Sequence, residues 1–425
     1  MQAIKGLSLG SVSFKQLDHF KLLICLAMAV AFIVGINMMP KQQTFHDESY
    51  HVTQINAYAE GNFTYIDKYI TVIPGYHALV YGLSKVFASE NIYAYRIFSC
   101  ILAALSLLFF YLIARQLGHD SPLISTAIFF FCPIFFPFFF VMYTDMTSLA
   151  FVLAGLYFTF SKRYHAAGVI LVLSILIRQT NVVWLGFCWA MIFFQEFDHI
   201  SIALKDFDRE TRKKLLHLAL RTIFFPLGIV AFLAFVYLNG GVAIGDAGSH
   251  KLGKVYFTQA FLWLFVVSLV LLPLHLAYLP RVYRLIKQSP EWLLLISAAF
   301  ALYFLTFWAD HHYNTIDFFI RNKFVLWLRA SDLNKVLIAI PMALAFLGLA
   351  VTPMRKKHFY FLYPVMLISV LPHALIEQRY YMDTIALLML FLHLNKRKIQ
   401  VFTLALYIPV TTYLYSGISK IDFFL

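Results

Sequence analysis

The stretch TFHDESYH, residues 44–51, sets His46, Asp47, Glu48 and His51 almost side by side, directly after the first apolar run of the chain. A carboxylate held beside a hydroxyl in a poorly solvated place can take its proton, so Asp47 or Glu48 is a candidate general base. All four residues are also metal-ligand types, although no familiar ligand spacing is matched, and a solvated loop start is the third reading. Arg178 ends another apolar run, in IRQTN, with no acidic neighbour in sequence. An arginine at such a depth needs an anion. Asp145 in VMYTDMTS is one protein partner for it, and a phosphate is the other option, because the planar guanidinium suits both. Arg379 in EQRYY repeats the pattern with Glu377 close by. Asp246 and His250 occur in GDAGSH, which also reads as an ordinary turn. Asp310, His311 and His312 stand together in ADHHYN, where a His-pair metal site would need a further convergent ligand.

The elements that must position these residues are apolar. The chain is 61% hydrophobic, 18% aromatic and only 13% charged, the composition of a polytopic membrane protein and not of two or three soluble domains. Hydropathy predicts about 13 transmembrane helices, hence an all-α fold in a single integral-membrane domain over 1–425. The net charge of +13 collects in alternate connections: Lys162-Arg163, the stretch 205–214, Arg281, Arg284 and Lys287, and the clusters 355–357 and 396–398. That is the positive-inside pattern and not a nucleic-acid footprint.

It places the N-terminus in the cytoplasm and residues 38–92 in an outer loop. Within that loop, one short interfacial helix is expected to stop near Gly61 and a second to start at Pro74. Residues 197–218 read as a cytoplasmic amphipathic connection. The candidates above then gather on one membrane face. The opening residues lead into the first apolar run without a small-residue cleavage site, which predicts an uncleaved first span. Cys25, Cys100, Cys132 and Cys188 all fall within predicted spans, as core residues without a disulfide.

Taken in order, six segments resemble the dolichyl-phosphate-glucose-dependent α-1,2-glucosyltransferases, a family of C-type membrane glycosyltransferases. They are HDESYHVTQINAYAEGNFTYIDKYITVIPGYH, FVMYTDMTSLAFVLAGLYF, IRQTNVVW, NGGVAIGDAGSHKLGKVYFTQAFLW, WADHHYNTIDFF and LPHALIEQRYYMDTIALLML, collinear from residue 45 to 390. Val72 departs from the pattern, which has a threonine there. The resemblance implies transfer of glucose from a dolichyl (polyprenyl) phosphate donor to a lipid-linked oligosaccharide, as in assembly of the N-glycan precursor. It implies an active site at the lumenal face of the endoplasmic reticulum membrane in a eukaryote, or the periplasmic face in a bacterium.

For an inverting transfer, Asp47 is expected as the base with Glu48 as its alternative, and Glu48 or Asp145 as the group orienting the acceptor. Arg178, Gln179, Asn181, His312 and Arg379 are expected on the donor phosphate and sugar. His51, Asp145, Asp246, His250, Asp310 and Glu377 are expected to support the site or meet the acceptor. Basic side chains can balance a single phosphate, so no cofactor and no obligatory metal are expected. Another polyprenyl-phosphate-sugar transferase, mannosyl or aminoarabinosyl in type, fits the same residues. A transporter would instead favour ionisable groups near mid-span and paired broken helices.

Overall fold

The computed structural model describes residues 19–197, 209–250, 254–393 and 397–425. The expected uncleaved lead into the first span, and residues 198–208 of the 197–218 connection, lie outside the described residues. The described chain is helical, with two isolated β-bridges, Phe319 with Phe424 and Met354 with Leu392. An apolar chain that leaves water must satisfy its backbone groups internally, and the helix does so within one segment.

The first half runs through α1 (His19–Met38), α2 (Glu48–Ala59), α3 (Gly75–Val86), α4 (Ile92–Gln116), α5 (Pro122–Phe130), α6 (Thr144–Phe160), α7 (Tyr164–Ile177) and α8 (Val182–Glu196). Among the described residues, four helices are long and apolar enough to cross a membrane: α1, α4, Asp332–Val351 and Arg397–Ser419. Two bent pairs raise the number to six if each is one span, Arg209–Arg221 with Phe224–Asn239 (56°) and Phe257–Val270 with Leu272–Gln288 (97°). The expected count of about 13 is thus not reached by helix length, because several apolar runs are interrupted. The run that begins in α5 stops near Cys132-Pro133, where a proline cannot continue the helix, and resumes as a 3-10 turn at Phe136–Phe139.

That interrupted run supplies the core behind the site. Phe129, Phe130, Phe135, Phe136, Phe138, Phe139 and Phe140 are buried, with Phe110 stacked 4.4 Å from Phe129. α6 packs between α4 and α7. A Cβ on Gly155 would stand 2.4 Å from Leu171 Cγ, so glycine lets α6 approach α7 this closely without displacing the Leu171 side chain. Cys100, Cys132 and Cys188 are buried free thiols, whereas Cys25 is exposed on α1, contrary to its expected place in the core. α1 carries a row of exposed apolar residues, among them Leu22, Leu26, Val30 and Ile33, and Cys25 belongs to that outward surface.

In the first loop, α2 is followed by Gly61 at φ 82° and α3 begins behind Pro74. Val52, Ile55, Tyr76 and Val80 form a buried apolar cluster with Tyr95, Phe98, Met142 and Ile177. The loop is therefore docked on α4 and α7 and does not hang free.

Candidate functional site

The site is organised by a buried ion pair beneath it. Glu48 and Arg96 are 0% and 1% exposed, with Arg96 Nη2 2.7 Å from Glu48 Oε2. Glu48 also accepts from the backbone N–H of Phe45 (2.9 Å) and of Met142 (2.7 Å). Arg96 donates further to the carbonyls of Pro40 and Gln43. Both partners of this pair are thus surrounded by hydrogen bonds, which a buried pair needs if it is to be tolerated. Together they bind the turn before α2 to α4 and to the lead into α6. Glu48 does not line the cavity. Its neighbour Asp47 does.

Asp47 faces a cavity of ≈ 400 Å³, within the size range of small-molecule sites. One carboxylate oxygen lies 2.6 Å from His46 Nδ1 and the other 3.4 Å from Arg379 Nη2. Burial pushes the Asp47 carboxyl up, but the His46 hydrogen bond and the Arg379 guanidinium override it and hold the group below the usual carboxylate range. His51, about one helical turn beyond Asp47, is pushed down to about 4 by burial and stays neutral. Its Nδ1 lies 2.8 Å from His77 Nε2, which fixes the ring.

Three arginines enter the same cavity. Arg379 Nε and Nη2 bind the two oxygens of Glu377 (2.9 and 2.7 Å), and its guanidinium lies 5.0 Å above the Tyr143 ring. Arg321, from Ile320–Ala330, reaches Glu377 Oε1 at 2.6 Å. Arg178, at the end of α7, pairs with buried Asp145. Burial works against the Glu377 charge, but Arg379 and Arg321 outweigh it and leave this carboxyl below its usual range. Carboxylates and guanidinium groups alternate in one network, so a phosphate entering the cavity would compete with carboxylates for arginines already aimed there.

The remaining expected residues divide into braces, cavity residues and outliers. Gln179 does not line the cavity. Its amide nitrogen donates to the carbonyls of Thr71 (2.8 Å) and Val242 (2.7 Å), tying the first loop to the loop after Phe224–Asn239. Asn181 binds Ser148 Oγ and the Ser174 carbonyl, behind Arg178. Asp246 and His250 line the cavity. Asp246 accepts from the hydroxyls of Tyr313 (2.7 Å) and Ser249 (2.9 Å). Asp310 is instead exposed and paired with Arg329, and His312 contacts Ser249 at 3.5 Å outside the cavity lining.

Arg321 escaped the sequence reading. The run before it, IDFFI, carries Asp317, so no argument like that for Arg178 singled it out. Among the described residues, no group of three or more His, Cys, Asp or Glu is placed to hold a metal ion.

A mouse protein named Dol-P-Glc:Glc(2)Man(9)GlcNAc(2)-PP-Dol alpha-1,2-glucosyltransferase is 24% identical to this chain over 395 residues, covering 80% of this chain and 82% of the relative. A human protein of the same name is 27% identical over 268 residues, covering 52% of this chain and 55% of the relative. Among solved structures, ArnT from Cupriavidus metallidurans bound to undecaprenyl phosphate is 12% identical, with a TM-score of 0.48 over 96% of this chain and 79% of that one. The model of the DIE2/ALG10 family matches residues 41–392, a region that contains the whole cavity. This chain belongs to the DIE2/ALG10 family.

Proposed function

We propose that this chain is an inverting glucosyltransferase that moves glucose from dolichyl phosphate to a lipid-linked oligosaccharide, forming an α-1,2 linkage, with Asp47 as the base. The names of its relatives carry the substrates. The observation that carries the mechanism is the Asp47 carboxylate 3.4 Å from the Arg379 guanidinium in a shared cavity. The acceptor oxygen attacks the anomeric carbon of the donor glucose as Asp47 takes the hydroxyl proton. The bond from that carbon to the phosphate oxygen breaks, and dolichyl phosphate leaves with the electron pair.

Arg379, Arg178 and Arg321 receive the charge that develops on the leaving group. Three guanidinium groups around one phosphate support transfer without an obligatory metal. Before the donor arrives, Asp47 is held low by His46 and Arg379, which makes it a weak base. A phosphate that draws Arg379 away restores basicity to the carboxylate, so proton abstraction is tied to donor occupancy.

The positive-inside pattern supports a cavity opening to the non-cytoplasmic face, the lumen of the endoplasmic reticulum in a eukaryote or the periplasm in a bacterium. The shorter apolar helices then enter the bilayer with the long ones, about 13 segments in all. The test is glucosyl transfer from dolichyl phosphate glucose to the lipid-linked oligosaccharide by folded Asp47→Asn protein, with and without chelator. Loss of about 10²- to 10⁴-fold in rate is expected for the variant, and no effect of chelator on the wild type. Turnover near wild type in the variant removes Asp47 as the base.

A further inference from the structure

The cavity holds a second set of residues that the donor chemistry leaves unused. Tyr50 follows Asp47 by nearly one turn and stands on the same face of α2. Its ring centroid lies 4.6 Å from that of Tyr69, and both rings line the cavity together with Tyr313. Tyr69 is 42% exposed, an open aromatic surface at the rim. The three arginines bind Asp47, Asp145 and Glu377, whereas Asp246 is bound to the neutral hydroxyls of Tyr313 and Ser249. A carboxylate offers about four lone-pair sites, so beside these two bonds and one from the Ser249 backbone N–H, Asp246 keeps an acceptor position among the described residues.

Tyr69 and Asp246 are built as one unit. Gly245, at φ 58°, presses its backbone against the chain that carries Tyr69, and a Cβ there would stand 2.4 Å from the Ile70 carbonyl oxygen. The N–H of Ile244 donates to the Thr71 carbonyl at 3.1 Å. A surface fixed in this way loses little freedom when a ligand arrives.

We propose that Tyr50, Tyr69, Tyr313 and Asp246 form the acceptor subsite, which takes neutral hexose residues at the end of the glycan. This rests on the proposed reading of Asp47 and the arginines. A pyranose offers a face of weakly positive C–H groups, which suits the negative face of a tyrosine ring. Its hydroxyl groups need acceptors once they leave water, and the remaining acceptor position of Asp246 provides a charge-assisted one. A sugar resting on Tyr50 brings its neighbouring hydroxyl towards Asp47, about one turn away on α2.

The purified full chain, assayed with dolichyl phosphate glucose and lipid-linked oligosaccharide, tests this by varying each substrate in turn. Tyr69→Ala and Asp246→Asn are each expected to raise the acceptor KM about five- to tenfold, with donor KM and kcat changed by less than about twofold. Tyr69→Phe, which keeps the ring, is expected to restore the acceptor KM. A rise in donor KM instead, or an unchanged acceptor KM in both variants, overturns the subsite while leaving the transfer reading intact.

Binding gives a readout that does not depend on turnover. Free oligosaccharide released from the lipid-linked acceptor should show saturation transfer in NMR from the wild type, and much less from the Tyr69→Ala/Asp246→Asn protein. Absence of saturation transfer from the wild type overturns the subsite. Binding without transfer would overturn the proposed activity and leave the subsite standing.

Discussion

Arg379 Nη2 lies 3.4 Å from Asp47 Oδ2, between residues 332 positions apart in the chain. The same guanidinium grips both oxygens of Glu377. One side chain thus joins the first loop to the last polar segment across the cavity.

Arg379→Lys keeps the charge but loses the planar fork that holds Glu377 while reaching Asp47. Donor kcat/KM is expected to fall about 10- to 100-fold, the equivalent of about 1.5–3 kcal/mol for a hydrogen bond to a charged group. The check is the dependence of rate on donor concentration at saturating acceptor. A response like that of the wild type would take Arg379 out of the donor site.

Glu48 and Arg96 are expected to matter for folding. Arg96→Met strands the Glu48 carboxylate in the interior and should cost about 3–5 kcal/mol. Adding Glu48→Gln to Arg96→Met removes the stranded charge, so the double variant should be more stable than Arg96→Met alone. Unfolding in detergent measures both. A double variant no more stable than the single one would show that the hydrogen bonds to Pro40, Gln43 and Met142, and not the charge pairing, hold the turn.

A pH effect follows from His51. Burial lowers it from 6.5 to about 4, so below pH 6.5 the unfolded chain takes up a proton that the folded chain refuses. Its effect on stability is therefore absent above pH 6.5, grows as the pH falls, and levels off near pH 4. Asp47 starts from 3.8 and is shifted downward, so the stability it contributes is lost below this window. The thermal midpoint of His51→Asn should fall less steeply than that of the wild type between pH 6.5 and pH 4. Parallel curves would contradict the assignment of His51 as a buried neutral ring.

Gly245→Ala sets backbone against backbone. The position has φ 58°, and the added Cβ would press on the carbonyls of Ile70 and Lys68. Gly118 has φ 69° with nothing within 4 Å of its Cβ position, so Gly118→Ala carries the conformational cost alone. Gly118→Ala is expected to cost about 1 kcal/mol, and Gly245→Ala more, with acceptor use impaired as well. Equal midpoints and equal acceptor KM values would show that the two loops separate freely.

The sequence by itself determined the class of the protein and its family, and it singled out polar residues that the cavity collects. Membrane character is written in composition, and the family in motifs that lie in order along the chain. Asp47, His51, Asp246, His250, Glu377 and Arg379, legible as polar residues of the connections, line the cavity together with Arg178, legible as a charge at the end of an apolar run. Such placement costs free energy unless a partner or ligand answers it.

Only the tertiary structure decided which partner each residue has. Asp47 and Glu48 are adjacent and chemically alike, yet one faces the cavity and the other is fully enclosed by Arg96 and two backbone N–H groups. The reason is directional: consecutive side chains on a helix point about 100° apart, and neither Arg96 nor Met142 is near Glu48 in sequence. Arg321 and the loop-bracing role of Gln179 arise from contacts between distant segments, which no local pattern encodes. Asp310 matched its motif and still turned outward to Arg329. Apolar runs likewise showed where the chain leaves water, but proline breaks and packing against neighbouring helices set how long each helix becomes.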